Sequence, residues 1–186
     1  MSTVKPLKIA LIIGSLRKDS VNRKFAEYMV SQMPDHVSVV ECRIDDLPHY
    51  NEDIDTDTPP ESYSRIREQV KDADALLIVS PEYNRTIPGG VKNAIDVLSR
   101  PFKNSVLTGR KTAFVTASPS SYGGRSCGFD LRKTMLPFEA PVLLAPEIYL
   151  SNAYDALDDE GNFTNERTQK YLKKFVDALV EFAEGK

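Results

Sequence analysis

Lys8-Ile9-Ala10-Leu11-Ile12-Ile13-Gly14-Ser15-Leu16-Arg17-Lys18-Asp19-Ser20-Val21-Asn22 is the stretch on which the reading of the fold turns. The apolar run Ile9–Ile13 has the length and β-branched content of a strand buried on both faces. Gly14 allows a tight turn without a Cβ clash. Asp19 and Ser20 are good N-cap residues for a helix that starts near Val21. Strand, short polar loop and helix N-terminus together make an anion site, because the first helical N–H groups are unpaired and carry partial positive charge. Hydroxyls at Ser15 and Ser20, the Arg17 guanidinium and the Asn22 amide add side-chain donors. That set suits a single terminal phosphate. An ordinary βα turn uses the same residue types, so this stretch alone does not decide the matter. It is not a Walker A loop, since no Gly-Lys-Ser/Thr follows, and it lacks the spaced glycines of the dinucleotide fingerprint.

Working outward, the chain alternates strand and helix patterns. Val21, Phe25, Met29 and Met33 form one stripe of the first helix, which Pro34 ends. Val37–Ile44 is the second strand. Asp45–Thr58 is a polar stretch with six Asp or Glu, read as solvated loop and not as a metal site. Pro59-Pro60 opens a helix whose buried face is Tyr63, Ile66, Val70 and Ala73. Ala75–Val79 is the third strand, and Val91, Ala94, Ile95 and Leu98 mark the helix after it. Thr112–Ala117 is the fourth strand, followed by a Ser/Gly-rich loop, Ser118–Ser126, and a helix carrying Leu131 and Met135. Val142–Leu144 and Glu147–Leu150 supply the last strand, interrupted at Pro146. The final helix buries Tyr171, Leu172, Phe175, Val176, Leu179 and Val180.

Five alternations predict an α/β doubly wound domain spanning 1–186, with a five-stranded parallel sheet in the order 2-1-3-4-5 and helices on both faces. Ligands of such sheets bind beyond the carboxyl ends of the strands near the switch point. The three loops of unusual composition, Gly14–Asn22, Pro81–Pro88 and Ser118–Ser126, follow strands 1, 3 and 4. That coincidence of topology with loop chemistry is the strongest sequence argument for a ligand site.

Composition sets the outer bounds. At 41% hydrophobic and 27% charged, the 186 residues read as one globular domain. A net charge of −3 offers no basic excess for nucleic acid. Cys42 and Cys127 have neither metal nor redox spacing and read as buried free thiols of a reducing compartment. No apolar run has the length of a signal peptide or a membrane span, so the expected location is cytoplasmic.

Pro81 and Pro88 stiffen the second loop. Tyr83 and Ile87 offer flat or apolar surface to a ring, Asn84 and free backbone N–H groups offer donors, and Glu82 holds the loop in shape. No hydrolytic constellation is present: His36 and His49 lie in polar stretches, and Gly-x-Ser-x-Gly is absent. A site for a phosphorylated ring with no evident acid, base or nucleophile fits cofactor chemistry, in which the protein positions and the cofactor reacts.

Gly14-Ser15-Leu16-Arg17-Lys18-Asp19-Ser20-Val21-Asn22 resembles the phosphate loop of the NADPH-dependent FMN reductase family, the flavodoxin-like group that includes quinone and chromate reductases. Pro81-Glu82-Tyr83-Asn84 with Pro88-Gly89-Gly90-Val91-Lys92-Asn93-Ala94-Ile95-Asp96 is similar to that family's second motif. The resemblance covers nearly the whole chain. It implies a flavodoxin-like fold, non-covalent FMN, NADPH or NADH as donor, and a quinone or similar small molecule as acceptor. It also implies a homodimer or homotetramer with sites near subunit interfaces. By the same resemblance Ser15, Arg17, Ser20 and Asn22 hold the phosphate, with Leu16 and Val21 in the same loop. Pro81, Glu82, Tyr83 and Asn84 line the ring, and Ser118 closes its other side. No catalytic side chain is implied. Two departures stand out: Val97 where relatives often carry Trp, and Ala117-Ser118-Pro119 in place of paired hydroxyls. The alternative functions are a non-enzymatic electron carrier, against which the modest acidity argues, and a flavin-binding regulatory module.

Overall fold

A computed structural model of the chain describes residues 5–186. Strands β1 (Leu7–Ile13), β2 (Val37–Glu41), β3 (Ala75–Ser80), β4 (Lys111–Ala117) and β5 (Ile148–Leu150) form one parallel sheet in the order β2-β1-β3-β4-β5. The helices are α1 (Val21–Ser31), α2 (Glu61–Lys71), α3 (Gly89–Leu98), α4 (Arg125–Met135) and α5 (Glu166–Glu184). β1 sits between β2, with Leu7 opposite Val37, and β3, with Ile9 opposite Ala75. The chain leaves β1 in one direction for β2 and reaches β3 on the other side. The loops after β1 and β3 therefore diverge and open a crevice at the carboxyl edge of the sheet.

The absence of polar residues in Ile9–Ile13 follows from this placement. Successive strand side chains point to opposite faces. Ile9, Leu11 and Ile13 pack with Phe25 and Met29 of α1 and Phe175 and Leu179 of α5. Ala10 and Ile12 pack on the other face with Ile66 of α2, Val91 of α3 and Leu131 of α4. Both faces are covered, so every position must be apolar.

Four expectations are corrected. β2 stops at Glu41, not Ile44: its pairing with β1 ends at Leu11 opposite Glu41, with one further bond from Cys42 N to Leu11 O at 2.8 Å. Arg43 then leaves the sheet, held by Asp45. β5 has only three residues, because Val142 makes a single bridge to Thr112 and Pro146, which has no N–H, separates it from Ile148. Tyr171 is 41% exposed, and its hydroxyl donates to Glu147 O, while its neighbour Leu172 takes the buried position. Ser20 alone is the N-cap of α1.

The acidic stretch after β2 is taken up by arginines. Asp46 pairs with Arg65 and Asp55 with Arg67, each at 2.7 Å and each bidentate. Among the described residues no group of three or more His, Cys, Asp or Glu is placed to hold a metal ion.

Candidate functional site

The crevice begins where β1 ends. Gly14 N donates to Val79 O at 2.8 Å, so the ladder runs one residue past the strand. A Cβ on Gly14 would lie 2.5 Å from Val91 Cγ2 and 2.8 Å from Ser80 Oγ. Glycine is needed here for close packing of the loop on β3 and α3; its backbone is not left-handed.

Beyond Gly14 the backbone stops pairing. From Ser15 to Asn22, eight successive amides have no intramolecular acceptor among the described residues; the next amide, Arg23 N, reaches Ser20 Oγ at 3.4 Å. Open loop amides running into a helix N-terminus form a concave cluster of positive dipoles, the backbone arrangement that binds phosphate. Ser15 and Ser20 are both buried in this cluster. Because Ser20 Oγ accepts from Arg23, its proton remains available to donate outward.

A cleft of about 190 Å³ lies against this cluster. Ser15, Arg17, Ser20, Val21 and Asn22 from the first loop, Pro81, Glu82 and Tyr83 from the second, and Ser118 from the third all line it. Two of the sequence-derived residues do not. Leu16, 62% exposed, lines a separate hollow toward the end of β2 together with Lys18, Arg23 and Arg43. Asn84 sits at the tip of a hairpin. Tyr83 and Thr86 exchange backbone hydrogen bonds at 3.2 and 3.0 Å, and Asn84 and Arg85 have φ of 51° and 63°. Two central residues with positive φ are the mark of a type I′ turn.

Two side-chain bonds pin this hairpin to α4. Cys127 N donates to Glu82 Oε2 at 2.9 Å, and Thr86 Oγ1 donates to Asp130 Oδ2 at 2.6 Å. Glu82 thereby caps α4, whose N-cap residue, Gly124, has no side chain to do so. Ser118 is similarly engaged. Its Oγ accepts from Ser120 N at 3.2 Å and lies 3.0 Å from Ser120 Oγ, so the hydroxyl shapes its own loop. Val97 is fully buried on the α2–α3 side of the core and does not reach the cleft.

Tyr154, which sequence reasoning missed, closes the fourth side: Arg17 Nη1 donates to its hydroxyl at 3.4 Å. It comes from the helical turn Ala153–Ala156 after β5, folded back by bonds from Asn152 N to Ser120 O and from Ala153 N to Ser118 O. Nothing in the local sequence of that turn announces it. Asn22 is 3% exposed, with Nδ2 donating to Ala117 O at 3.3 Å and Oδ1 left without a partner.

The lining of the cleft offers few groups for acid–base or nucleophilic catalysis. Glu82 is its only carboxylate and no histidine lines it. Cys127, just behind the hairpin, is buried and its thiol is pushed up to about 12; burial likewise raises Cys42 to about 11. Thiols held protonated are poor nucleophiles. What the arrangement offers is a set of open donors at one end and flat side-chain surface at the other.

Comparison with known proteins agrees with this chemistry. Residues 7–155 match the family described as NADPH-dependent FMN reductase. A quinone reductase of Pseudomonas putida is 40% identical over 94% of this chain and 93% of its own. A 2-hydroxy-1,4-benzoquinone reductase of Burkholderia sp. is 39% identical over 92% of this chain and 93% of its own. Among solved structures, a flavoenzyme NAD(P)H:(acceptor) oxidoreductase from Paracoccus denitrificans superposes with a TM-score of 0.89 at 35% identity, covering 96% of this chain and 98% of its own. Matched to that family over residues 7–155 and 40% identical to a relative over most of its length, the chain belongs to the NADPH-dependent FMN reductase family.

Proposed function

We propose that this protein is an FMN-dependent NAD(P)H oxidoreductase that reduces a quinone or similar acceptor. The observation that carries the reading is the run of eight unpaired amides at the N-terminus of α1, beside a cleft bordered by the flat side chains of Pro81 and Tyr83. The residues fit FMN: a terminal phosphate satisfies the amides, and Asn22 Oδ1, buried and without a partner, awaits a donor. Bound FMN would supply the hydride-accepting and hydride-donating chemistry.

The chain's own part is to bind and orient. The Ser15–Asn22 amides, the Ser20 hydroxyl and the Arg17 guanidinium hold the phosphate. Pro81, Glu82 and Tyr83 border the ring on one side and Ala117, Ser118 and Pro119 on the other. The Glu82 and Thr86 bonds to α4 fix the ring loop so that it keeps its place between turnovers. Tyr83 is exposed, which leaves one side of the cleft open to donor and acceptor in turn.

The protein also works as a homo-oligomer. Support comes from four exposed apolar residues: Phe129 on α4, Tyr122 in the loop before it, Leu136 in the turn after it, and Leu144. Two unpaired cysteines support a reducing, cytoplasmic setting. Among the described residues no helix is long and apolar enough to cross a membrane.

The test is chemical and kinetic. Denaturation of the purified, flavin-loaded protein should release FMN, identified by chromatography. Initial rates over a grid of NADPH and quinone should give parallel double-reciprocal lines, as one open face serving two substrates requires. Release of FAD, or failure to bind flavin on reconstitution, would refute the assignment; intersecting lines would refute the shared face.

A further inference from the structure

The hollow that Leu16 lines is distinct from the cleft, yet Ser15 and Arg17 line both. Its volume is about 320 Å³, and no residue of the Pro81–Thr86 hairpin reaches it. Ile13, Cys42 and Ile44 give it a buried apolar lining, and Leu16 adds an exposed apolar side chain. Cations come to it from three segments: Arg17 and Lys18 from the loop after β1, Arg23 from α1, and Arg43 from the segment after β2. Only two carboxylates line it, Glu41 and Asp45, and each braces an arginine. Glu41 accepts from Nη1 and Nη2 of Arg23 at 3.0 and 2.7 Å, and Asp45 accepts from Nε and Nη2 of Arg43 at 3.0 and 2.8 Å. A guanidinium held by two bonds keeps its plane and presents its remaining N–H groups in a fixed direction. Those groups, Nε of Arg23 and Nη1 of Arg43, have no acceptor among the described residues. Arg17 has only the neutral Tyr154 hydroxyl, and Lys18 pairs with no carboxylate there.

Resting on the NAD(P)H oxidoreductase reading above, we propose that this hollow receives the 2′-phosphoadenosine half of NADPH, and that Lys18 and Arg43 select NADPH over NADH. The two donors differ by one phosphate, on the 2′-oxygen of the adenosine ribose. A site that ranks them needs cations at that group and apolar surface for the adenine, and the hollow combines the two. Its volume lies within the range of small-molecule sites. The shared border at Ser15 and Arg17 makes hollow and cleft continuous, which a dinucleotide requires, since its two halves are joined and must occupy both. Surface ion pairing alone accounts for Arg23 and Arg43 but leaves Lys18 and the exposed Leu16 without a role.

The experiment uses FMN-loaded protein, so that the phosphate loop is already filled. Adenosine 2′,5′-bisphosphate and adenosine 5′-monophosphate, which lacks the 2′-phosphate, are titrated by calorimetry into wild type, Arg43→Ala and Lys18→Ala. Wild type should bind the bisphosphate at least about tenfold more tightly than the monophosphate. Each variant should lose about three- to tenfold for the bisphosphate, the value of a charged contact at an exposed site, and less than about twofold for the monophosphate. The ratio of kcat/KM for NADPH to that for NADH should fall by the same factor. Equal binding of the two probes to wild type, or an unchanged bisphosphate affinity in either variant, would overturn the inference. So would a rise in flavin fluorescence on adding the bisphosphate, which would place that ligand on the phosphate loop. Inorganic pyrophosphate binding as tightly as the bisphosphate would show a general anion site and overturn the adenosine assignment. If a variant does not fold, the other variant and the two probes on wild type decide. Uptake of no FMN, or oxidation of neither donor by the loaded protein, would overturn the oxidoreductase reading; equal kcat/KM for NADPH and NADH in wild type would overturn this inference alone.

Discussion

Replacing Glu82 by alanine tests whether the ring loop and α4 are one mechanical unit. Glu82 Oε2 accepts the amide of Cys127, the third residue of α4, at 2.9 Å, and the N-cap residue of that helix is Gly124. Deletion strips the cap and leaves that amide without its partner. Side-chain N-caps contribute about 0.5–2 kcal/mol, and a charged acceptor at a helix N-terminus belongs in the upper part of that range. Partial exposure of Glu82 moderates this, so about 1–2 kcal/mol is expected. For a chain of 186 residues the unfolding entropy is about 0.4 kcal/mol/K, so the melting temperature should fall by about 3–5 °C. Glu82→Gln keeps an acceptor and loses the charge, and should lose roughly half as much. The assay is thermal unfolding of the flavin-free protein by circular dichroism, with urea titration to confirm an unchanged slope. Thr86→Val removes the second pin, to Asp130. If both pins hold one hairpin, the double variant should depart from additivity by at least about 0.5 kcal/mol. A Glu82→Ala melting point within about 1 °C of wild type would refute the capping role. Strict additivity would show that the two bonds do not share an element.

Three further outcomes are expected. Arg85→Gly should stabilise the protein by about 0.5–1 kcal/mol, read as a shift in urea midpoint, because φ of 63° at a non-glycine residue is strained and Asn-Gly is the preferred type I′ pair. The Asp46 carboxyl is held below its usual range, chiefly by its hydrogen bonds to Arg65, so its contribution is present above pH 4 or so and is lost as pH falls through the lowered value. Asp46→Asn should therefore flatten part of the acid-side decline in urea midpoint between about pH 5 and pH 2 and leave the region above unchanged in slope. Arg17→Ala should weaken FMN about ten- to a hundredfold by fluorescence titration, the value of a charge-assisted bond, and leave turnover at saturating FMN near wild type.

How much of this could be read beforehand depended on how local each cause is. Ile9–Ile13 announced a central strand because burial on both faces excludes polar residues, a constraint written into the run itself. Ser20 announced its helix because a cap acts within three residues. The convergence of Ser15, Arg17, Ser20, Pro81, Tyr83 and Ser118 was legible through topology: the order 2-1-3-4-5 sends the loops after strands 1, 3 and 4 to one edge of the sheet, whatever their sequences. The causes that escaped are long-range. Glu82 caps an amide 45 residues away, and Tyr154 reaches Arg17 across 137 residues. Gly14 is glycine because of atoms in Ser80 and Val91, not because of its own turn. The ends of β2 and the exposure of Tyr171 went the same way, since periodicity says which residues share a face but not where a neighbouring strand stops pairing.

On the proposed reading, the contrast between α1 and α4 explains why the phosphate would lie at the α1 end of the cleft. Both helices begin at the carboxyl edge of the sheet and both present an N-terminus near the cleft, so the fold alone offers two places for negative charge. At α4 the protein supplies the charge itself: the Glu82 carboxylate takes the Cys127 amide. At α1 the only internal cap is a neutral hydroxyl, Ser20 on Arg23 N at 3.4 Å, and the preceding eight amides remain open. A ligand carrying one phosphate and one ring then has a single favourable orientation, phosphate toward α1 and ring toward the Glu82 hairpin. Reversal would set the phosphate against a carboxylate and leave the open amides facing an uncharged ring. The same side chain that stabilises a helix start would thus set the direction of such a ligand. On the proposed reading, this is how the chain would impose order on a cofactor that does the chemistry.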